Sequence, residues 1–175
     1  MKDFNKIKLL ILDCDGVLTD GKVIYDSNQN ELKNFSAKDG IGIKLLSFSE
    51  IKIAIITGRE SEMLSKRCED LGITMLFQKI RNKIKKTKEL INGLHLNWEN
   101  VAYLGDDWND YPVMEKCQIS AVPNDAFDDI KNKVDIITKR KGGEGAVREF
   151  IEIILKKQGI YEEIVEKFIS NLKNL

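Results

Sequence analysis

Two carboxylates near the start of the chain could do chemistry together. Asp13 and Asp15 follow an apolar run directly, with one residue between them. Thr57 follows a second apolar run, and Asp106 follows a third. One carboxylate can attack phosphorus and form an aspartyl-phosphate, while another protonates the leaving alkoxide and then deprotonates the attacking water. These residue types therefore indicate phosphoryl transfer.

The same carboxylates would require a cation, because they repel one another and would repel a phosphate dianion. Mg²⁺ prefers oxygen ligands and binds through one or two carboxylates plus phosphate. Asp13 and Asp106 are the candidate carboxylates. Thr57 and Lys83, which stands before a predicted helix, could hold the phosphoryl oxygens and stabilise their charge. The sequence therefore predicts a magnesium site beside a phosphate site.

The elements that must position these residues alternate along the chain. Short, continuous apolar runs are typical of strands buried on both faces of a parallel sheet; they lie at 7–12, 53–56, 101–104, 119–122 and 136–137. Apolar residues at helical spacing predict helices at 60–72, 80–94, 146–157 and 161–172. This alternation predicts an α/β fold, a Rossmann-like parallel sheet with helices on both faces. Ligands bind such sheets at the carboxyl ends of the strands.

One stretch departs from the alternation. Segments 22–25 and 31–35 flank a turn-rich cluster at 26–30, which predicts a β-hairpin that projects after the first strand. No repeat or linker marks a second domain, and 175 residues suit one domain. We therefore expect a single domain over 1–175, with a C-terminal helical tail from about 145 to 175.

Composition excludes several classes of function. The 28 Lys and Arg balance 28 Asp and Glu, so no net charge attracts nucleic acid or an anionic membrane. The apolar runs are much shorter than the ~20 residues of a membrane span, and we see no export signal at the N-terminus. Three unpatterned cysteines suit reduced thiols. We expect a cytoplasmic protein that binds neither nucleic acid nor membrane.

Each motif by itself has an ordinary structural interpretation. The Asp13–Asp15 pair could form a turn, and the acidic residues at 106–110 could begin a helix, whose dipole favours them. Lys83 could belong to a solvated basic face. Trp98 and Trp108 are expected to pack rather than to stack on a ligand. The chemical motifs occur in order, however, each at a predicted strand end or helix start, which favours catalysis.

The four motifs in this order resemble those of the haloacid dehalogenase superfamily of phosphatases. They are DCDGVLTDG, Thr57, Lys83 and GDDWND. The resemblance implies that Asp13 is the nucleophile, that Asp15 is the acid/base, and that Thr57 and Lys83 complete the catalytic set. The metal ligands that it implies are Asp13, the backbone carbonyl of Asp15 and Asp106, with Asp107 and Asp110 as supports.

Longer segments resemble the 3-deoxy-D-manno-octulosonate 8-phosphate phosphatase family within that superfamily. They are FSAKDGIGIK, ITGRESEMLSKRCEDLGI, GDDWNDYPVMEK and GGEGAVRE. The resemblance implies a Mg²⁺-dependent phosphomonoesterase acting on a phosphorylated sugar acid. It also implies a fold with no inserted cap domain, since the first two motifs leave room for a hairpin only. A homotetramer is implied as well, in which a neighbouring subunit closes the active site.

The resemblance also implies a set of substrate contacts, at several of which this chain differs from the family. The implied contacts are Ser36, Ala37, Lys38, Asp39, Gly40, Lys44, Gly58, Arg59, Arg67 and Lys83. Ser36 stands where the family usually has Asn, and Lys38 and Lys44 stand where Arg is common; Lys cannot reproduce bidentate Arg binding. Arg59 could bind a substrate carboxylate through two hydrogen bonds. Arg67 lies on the apolar stripe of its helix, where it could contact substrate or pair with a nearby carboxylate.

Three alternatives remain beside an octulosonate phosphatase. A nonulosonate 9-phosphate is also a 2-keto-3-deoxy acid with a terminal phosphate, so a phosphatase for it would share the mechanism. A phosphoryl-receiver signalling domain also places acidic residues, Thr and Lys at strand ends, but it would lack the hairpin and the C-terminal helices. A catalytically silent oligomerisation module is disfavoured because every expected catalytic position is filled.

Overall fold

The computed structural model describes residues 2–174 and contains eight strands and seven α-helices in that part of the chain. The strands are β1 Leu9–Leu12, β2 Ile24–Tyr25, β3 Glu31–Leu32, β4 Lys52–Ile56, β5 Met75–Phe77, β6 Val101–Leu104, β7 Ile119–Val122 and β8 Ile136–Ile137. The helices are α1 Ala37–Leu46, α2 Glu62–Leu71, α3 Lys83–Gly93, α4 Tyr111–Met114, α5 Asp128–Lys131, α6 Ala146–Lys157 and α7 Tyr161–Lys173. Short 3₁₀ helices lie at Phe4–Lys6 and Trp98–Asn100.

Six of the strands form one parallel sheet in the order β5-β4-β1-β6-β7-β8. The first strand, β1, lies at the centre of the sheet. β4 and β5 extend the sheet on one side of it, and β6, β7 and β8 extend it on the other. β1 therefore pairs in parallel with both β4 and β6. In such a sheet the strand order reverses at the centre, which opens a crevice at the carboxyl ends of the central strands. The Rossmann-like α/β fold predicted from the sequence is confirmed.

The apolar runs of the central strands supply two cores, one on each face of the sheet. Because successive strand residues point to opposite faces, Leu10 packs in a cluster with Phe150 of α6, whereas Leu9 packs in a cluster with Ile91 of α3. Each of these side chains is buried, which stabilises the fold by about 1.5–3 kcal/mol per side chain. β1, β6 and β7 are buried at every residue.

The predicted hairpin is present, although its two strands are only two residues long each. It forms a separate antiparallel sheet after β1, and among residues 2–174 no cap domain is inserted. No helix in that range is long and apolar enough to cross a membrane.

Sequence reasoning did not predict α1, β5, α4 or α5. α1 buries residues around much of its circumference, including two glycines, so it shows no single apolar stripe. The absence of a Cβ at Gly42 lets α1 approach α6, because a Cβ there would lie 2.7 Å from Cα of Arg148. β5 is an edge strand of three residues, and α4 and α5 have four residues each. Such short elements give little periodicity to detect.

Candidate active site

A cavity of about 380 Å³ lies at the carboxyl ends of the central strands. Its walls come from the loops that follow β1, β4 and β6. The lining residues are Asp13, Asp15, Thr57, Gly58, Arg59, Asp106, Asp107, Trp108 and Asn109. The three loops that the sequence singled out therefore meet at one edge of the sheet.

The loop after β1 turns sharply around the carbonyl of Cys14. That carbonyl accepts hydrogen bonds from the backbone N–H groups of Val17, Leu18 and Thr19 at 3.2, 2.9 and 3.2 Å. Gly16 in this turn has a φ of +81°, and a Cβ there would lie 2.0 Å from an Asp106 carboxylate oxygen. Glycine is therefore required, because it permits both the left-handed backbone and the close approach of the two loops.

A buried charge network lies beneath the cavity and reaches it through Asp13. We call this network the floor; it consists of Asp13, Lys83 and Asp110. Nζ of Lys83 lies 2.9 Å from Oδ1 of Asp13 and 2.6 Å from Oδ1 of Asp110. All three residues are buried. Burial opposes the charge on Lys83, but the two carboxylates outweigh it, so the pKa of its ammonium group is raised.

Both carboxylate oxygens of Asp110 already have partners. Besides Lys83, the hydroxyl of Tyr103 donates to Oδ1 at 2.5 Å. The backbone N–H of Asp106 donates to Oδ2 at 3.1 Å. Asp110 therefore holds Lys83 in place and anchors the loop after β6. This arrangement suits the supporting role expected for Asp110.

Asp13 and Asp106 have the properties of metal ligands. Burial, and then repulsion from Asp110, raise the pKa of Asp13 to about 7. Burial, followed by repulsion from Asp13 and Asp110, raises the pKa of Asp106 to about 8. Single ligand atoms of the three carboxylates lie within 4.8 Å of one another. Because the oxygens of Asp110 are engaged, Asp13 and Asp106 are the carboxylates left to bind a cation, and this oxygen donor set suits Mg²⁺.

The loop after β4 supplies the opposite wall. Thr57 is buried, and its backbone N–H donates to the carbonyl of Phe77 at 3.0 Å, which fixes the end of β4 against β5. Gly58 and Arg59 follow along the cavity wall. The hydroxyl of Thr57 thus stands across the cavity from the acidic loops, where it can donate to an oxyanion.

The hairpin brings charged side chains to Asp15 that sequence reasoning missed. Lys33 forms an ion pair with Oδ1 of Asp15, and its Nζ lies 3.6 Å from Oε1 of Glu31. Nη2 of Arg59 lies 2.5 Å from the same Glu31 oxygen, and its Nε lies 3.7 Å from Oδ2 of Asp15. We call Asp15, Glu31, Lys33 and Arg59 the rim. The one sequence signal for these contacts was that Glu31 and Lys33 alternate in a predicted hairpin strand, which places both charges on the same face.

Several implied substrate residues lie outside this cavity in their own chain. Ser36 is the N-cap of α1, where its hydroxyl accepts from the backbone N–H of Asp39 at 3.4 Å. Asp39 is buried, and its carboxylate accepts from the N–H groups of Gly145 at 3.3 Å and Arg148 at 2.9 Å. Asp39 therefore caps the start of α6.

Arg67 also makes contacts inside the fold. Its Nη2 donates to the carbonyl of Ser36 at 3.0 Å, its guanidinium lies 6.0 Å from the centre of the Phe35 ring, and Gly40 lies against it. The remaining members outside the cavity are exposed: Ala37, Lys38 and Lys44. Of the implied substrate set, Gly58 and Arg59 line the cavity, and Lys83 contacts Asp13 at its floor.

Trp108 differs from the packing role expected from the sequence. It is 50% exposed and lines the cavity, with its ring 5.8 Å from that of Tyr111 in an edge-on arrangement. The backbone N–H of Trp108 donates to Oδ1 of Asp107 at 2.7 Å, which stabilises the turn after β6. The indole therefore adds an apolar surface to an otherwise polar cavity.

Comparison with known proteins agrees with this geometry. Residues 72–151 match the family model of haloacid dehalogenase-like hydrolases. The chain is 45% identical over 157 residues to 3-deoxy-D-manno-octulosonate 8-phosphate phosphatase of Escherichia coli K12, covering 90% of this chain and 84% of that protein. The chain belongs to the 3-deoxy-D-manno-octulosonate 8-phosphate phosphatase family. It is also 43% identical over 152 residues to the family member of Yersinia pestis, covering 87% and 81% of the two chains.

Solved structures of this phosphatase family share the fold over nearly the whole chain. The Moraxella catarrhalis phosphatase, in complex with a magnesium ion, a phosphate ion and a KDO molecule, has a TM-score of 0.90 and 36% identity. The match covers 94% of this chain and 95% of that one. The cobalt-bound phosphatase of Haemophilus influenzae has a TM-score of 0.86 and 39% identity, covering 90% and 92%.

Proposed function

We propose that this protein is a Mg²⁺-dependent phosphomonoesterase that hydrolyses 3-deoxy-D-manno-octulosonate 8-phosphate to the free sugar acid and phosphate. The observation that carries the proposal is the meeting of Asp13, Asp15, Thr57 and Asp106 in one cavity of a chain from this phosphatase family. We further propose a place for the reaction in lipopolysaccharide synthesis in the cytoplasm, where three buried free cysteines would stay reduced.

In the first half of the reaction, a carboxylate oxygen of Asp13 attacks phosphorus and the bond to the sugar oxygen breaks. Asp15 gives a proton to that leaving oxygen. Lys83, 2.9 Å from Asp13, orients the nucleophile and offers positive charge to the phosphoryl oxygens, with Thr57 as a further donor. The result is an aspartyl-phosphate on Asp13 and the free sugar acid.

In the second half, Asp15 accepts a proton from water, and the resulting hydroxide attacks the aspartyl-phosphate. The phosphorus–Asp13 bond breaks, which releases phosphate and restores the carboxylate. Asp13, Asp106 and the backbone carbonyl of Asp15 would hold Mg²⁺, which neutralises phosphate charge when bound. Asp110 keeps the floor in place, and Asp107 supports the adjacent loop.

Substrate recognition is assigned first to Arg59. Its side chain is 41% exposed and lines the cavity, so the guanidinium can exchange its contact with Glu31 for a substrate carboxylate. Gly58 beside it leaves space for the sugar. The contacts implied for the segment 36–44 and for Arg67 lie outside the cavity of their own chain. The exposed members of that set, Ala37, Lys38 and Lys44, would contribute to a neighbouring subunit's site.

A homotetramer would supply that neighbour. The hairpin leaves four apolar side chains between 42% and 61% exposed: Val23, Ile24, Tyr25 and Leu32. Exposed apolar side chains clustered in this way are characteristic of a protein–protein interface. They support an assembly in which a second copy packs on the hairpin and closes the site.

The deciding experiment measures phosphate release by the purified protein with Mg²⁺ on 3-deoxy-D-manno-octulosonate 8-phosphate and on a nonulosonate 9-phosphate, with Asp13→Asn as the blank. We expect at least a hundredfold preference in kcat/KM for the octulosonate, which is about 2.7 kcal/mol of transition-state discrimination. The reverse preference would reassign the substrate and keep the mechanism. Release from neither substrate, nor from 4-nitrophenyl phosphate, would leave a catalytically silent oligomerisation module.

A further inference from the structure

Strand β3 of the hairpin presents charge to the cavity in an alternating pattern. Glu31 begins the strand and Lys33 follows its end, so the two side chains lie on one face. Leu32 between them points to the other face and is 49% exposed. The hairpin therefore has one charged face directed at the loop after β1, on which Tyr25 lies opposite Glu31, and a second face that carries Ile24 and Leu32.

Lys33 is half-buried as a residue, and its side chain is almost fully enclosed although the hairpin around it is mostly exposed. Its side chain is 3% exposed, whereas that of Lys22, at the other base of the hairpin, is 73% exposed. Immobilising a lysine side chain costs up to about 2 kcal/mol of rotamer entropy. Removing its ammonium group from water costs more unless the charge is paired. The pairing that offsets this cost is with Asp15.

The two cations of the rim have different partners. Nη2 of Arg59 lies 2.5 Å from Glu31, and its Nε is 3.7 Å from Oδ2 of Asp15, beyond hydrogen-bond distance. Lys33 is in direct contact with Oδ1 of Asp15. Oδ1 of Asp15 is thus held by Lys33 of the hairpin. Neither Lys33 nor Arg59 lies within hydrogen-bond distance of Oδ2.

We propose that Lys33 is a positioning residue for Asp15. It holds Oδ1 and so fixes the carboxyl plane, which leaves Oδ2 to exchange the proton with the leaving oxygen and then with water. Glu31 adds negative charge 3.6 Å from the Lys33 ammonium and pairs with Arg59. This inference rests on the proposed phosphatase function, and it assigns to the hairpin a part in proton transfer.

The test compares substrates whose leaving groups differ in their need for a proton. A sugar alkoxide must be protonated as it leaves, whereas 4-nitrophenolate is stable enough to leave without a proton. Water attack on the aspartyl-phosphate needs Asp15 in both cases. Loss of the Asp15 position should therefore slow both steps for the sugar phosphate but only the second step for 4-nitrophenyl phosphate.

For Lys33→Met we expect kcat on the octulosonate phosphate to fall about a hundredfold, with KM changed less than about threefold. With 4-nitrophenyl phosphate we expect a rapid burst of about one nitrophenolate per subunit, followed by slow turnover. Lys33→Arg should recover about tenfold of the lost rate. Lys22→Met removes a lysine of the same hairpin and should behave as the unchanged protein.

Equal losses on the two substrates with no burst, or rates equal to those of Lys22→Met, would overturn the proposal. Lys33→Gln, which keeps a donor for Asp15, is analysed by the same burst if the methionine variant does not fold. Failure of the proposed function gives a different result. The unchanged protein would then hydrolyse 4-nitrophenyl phosphate and neither sugar phosphate, and the burst would still decide the role of Lys33.

Discussion

The floor and the rim of the cavity each pair a lysine with carboxylates, but they do so with different parts of the fold. In the floor, Lys83 is buried between Asp13 and Asp110, and all three residues lie at the ends or starts of core elements. In the rim, Lys33 comes from a projecting hairpin to meet Asp15. The comparison teaches that Asp13, the proposed nucleophile, is fixed by the core of the fold, whereas Asp15, the proposed acid/base, depends on an appended element.

The largest expected effect comes from the floor. Asp13→Asn removes the nucleophilic oxygen but keeps the shape of the side chain, so we expect phosphate release to fall at least 10⁴-fold while the circular dichroism spectrum is retained. Lys83 keeps its contact with Asp110 in this variant. Hydrolysis at the rate of the unchanged protein would refute the assignment of the nucleophile. The same assay on Lys33→Met should show the smaller loss of about a hundredfold, so a change in the floor would reduce activity more than a change in the rim.

The second effect is on stability. Asp110→Ala removes one partner of a buried ion pair, together with the acceptor for Tyr103 and for the backbone N–H of Asp106. We expect the free energy of unfolding in urea to fall by about 3–5 kcal/mol. Glu31→Ala is the matched change at the rim, where Arg59 is partly exposed, and should cost about 1 kcal/mol or less. Equal losses in the free energy of unfolding for the two variants would contradict the description of the floor as buried and the rim as partly exposed.

The smallest effect is a pH dependence that arises from Asp13 of the floor and from the neighbouring Asp106. The pKa values of Asp13 and Asp106, about 7 and about 8, lie above their values of about 4 in an unfolded chain. The metal-free folded state thus binds more protons than the unfolded state, and its stability falls as pH rises through these values. Mg²⁺ requires ionised carboxylates. The gain in melting temperature from Mg²⁺ over EDTA should therefore be larger at about pH 8.5 than at about pH 6.

Asp106→Asn provides the control for that measurement. It removes one of the two raised pKa values and one metal ligand, so most of the Mg²⁺-dependent gain should disappear at both pH values. A gain that stays the same across this pH range in the unchanged protein would contradict the electrostatic description of the floor. The rim lies outside this dependence, and Glu31→Ala should leave it intact.

The sequence predicted the floor more completely than the rim, and the reason is physical. Asp13, Lys83 and Asp110 lie beside strand ends and helix starts, where local patterns of apolar residues give their location. Lys33 meets Asp15 only through the tertiary placement of the hairpin, which no local pattern specifies. The hairpin itself was predicted from its turn residues, but the direction of its charged face was not.

The position of Asp39 was also not predictable from local sequence, because its contacts depend on tertiary placement. It was included among the substrate contacts because of the resemblance, and the structure shows a contact that the resemblance did not indicate, between its carboxylate and the start of α6. The edge strand β5 and the helix α1 were missed because neither has the periodicity of a half-buried element. Elements that are long and amphipathic, such as α3 and α6, were predicted correctly.

The capping of α6 by Asp39 also has a consequence for how the chain is made. The carboxylate and the N–H of Arg148 are 109 residues apart in sequence. At about 5–20 residues per second, a ribosome takes roughly 5–20 s to pass from one to the other. During that interval the first helix has emerged without the partner that covers it. Closure of the α1–α6 layer is thus a late event of biosynthesis, and an interrupted nascent chain would expose the residues of α1 that α6 covers.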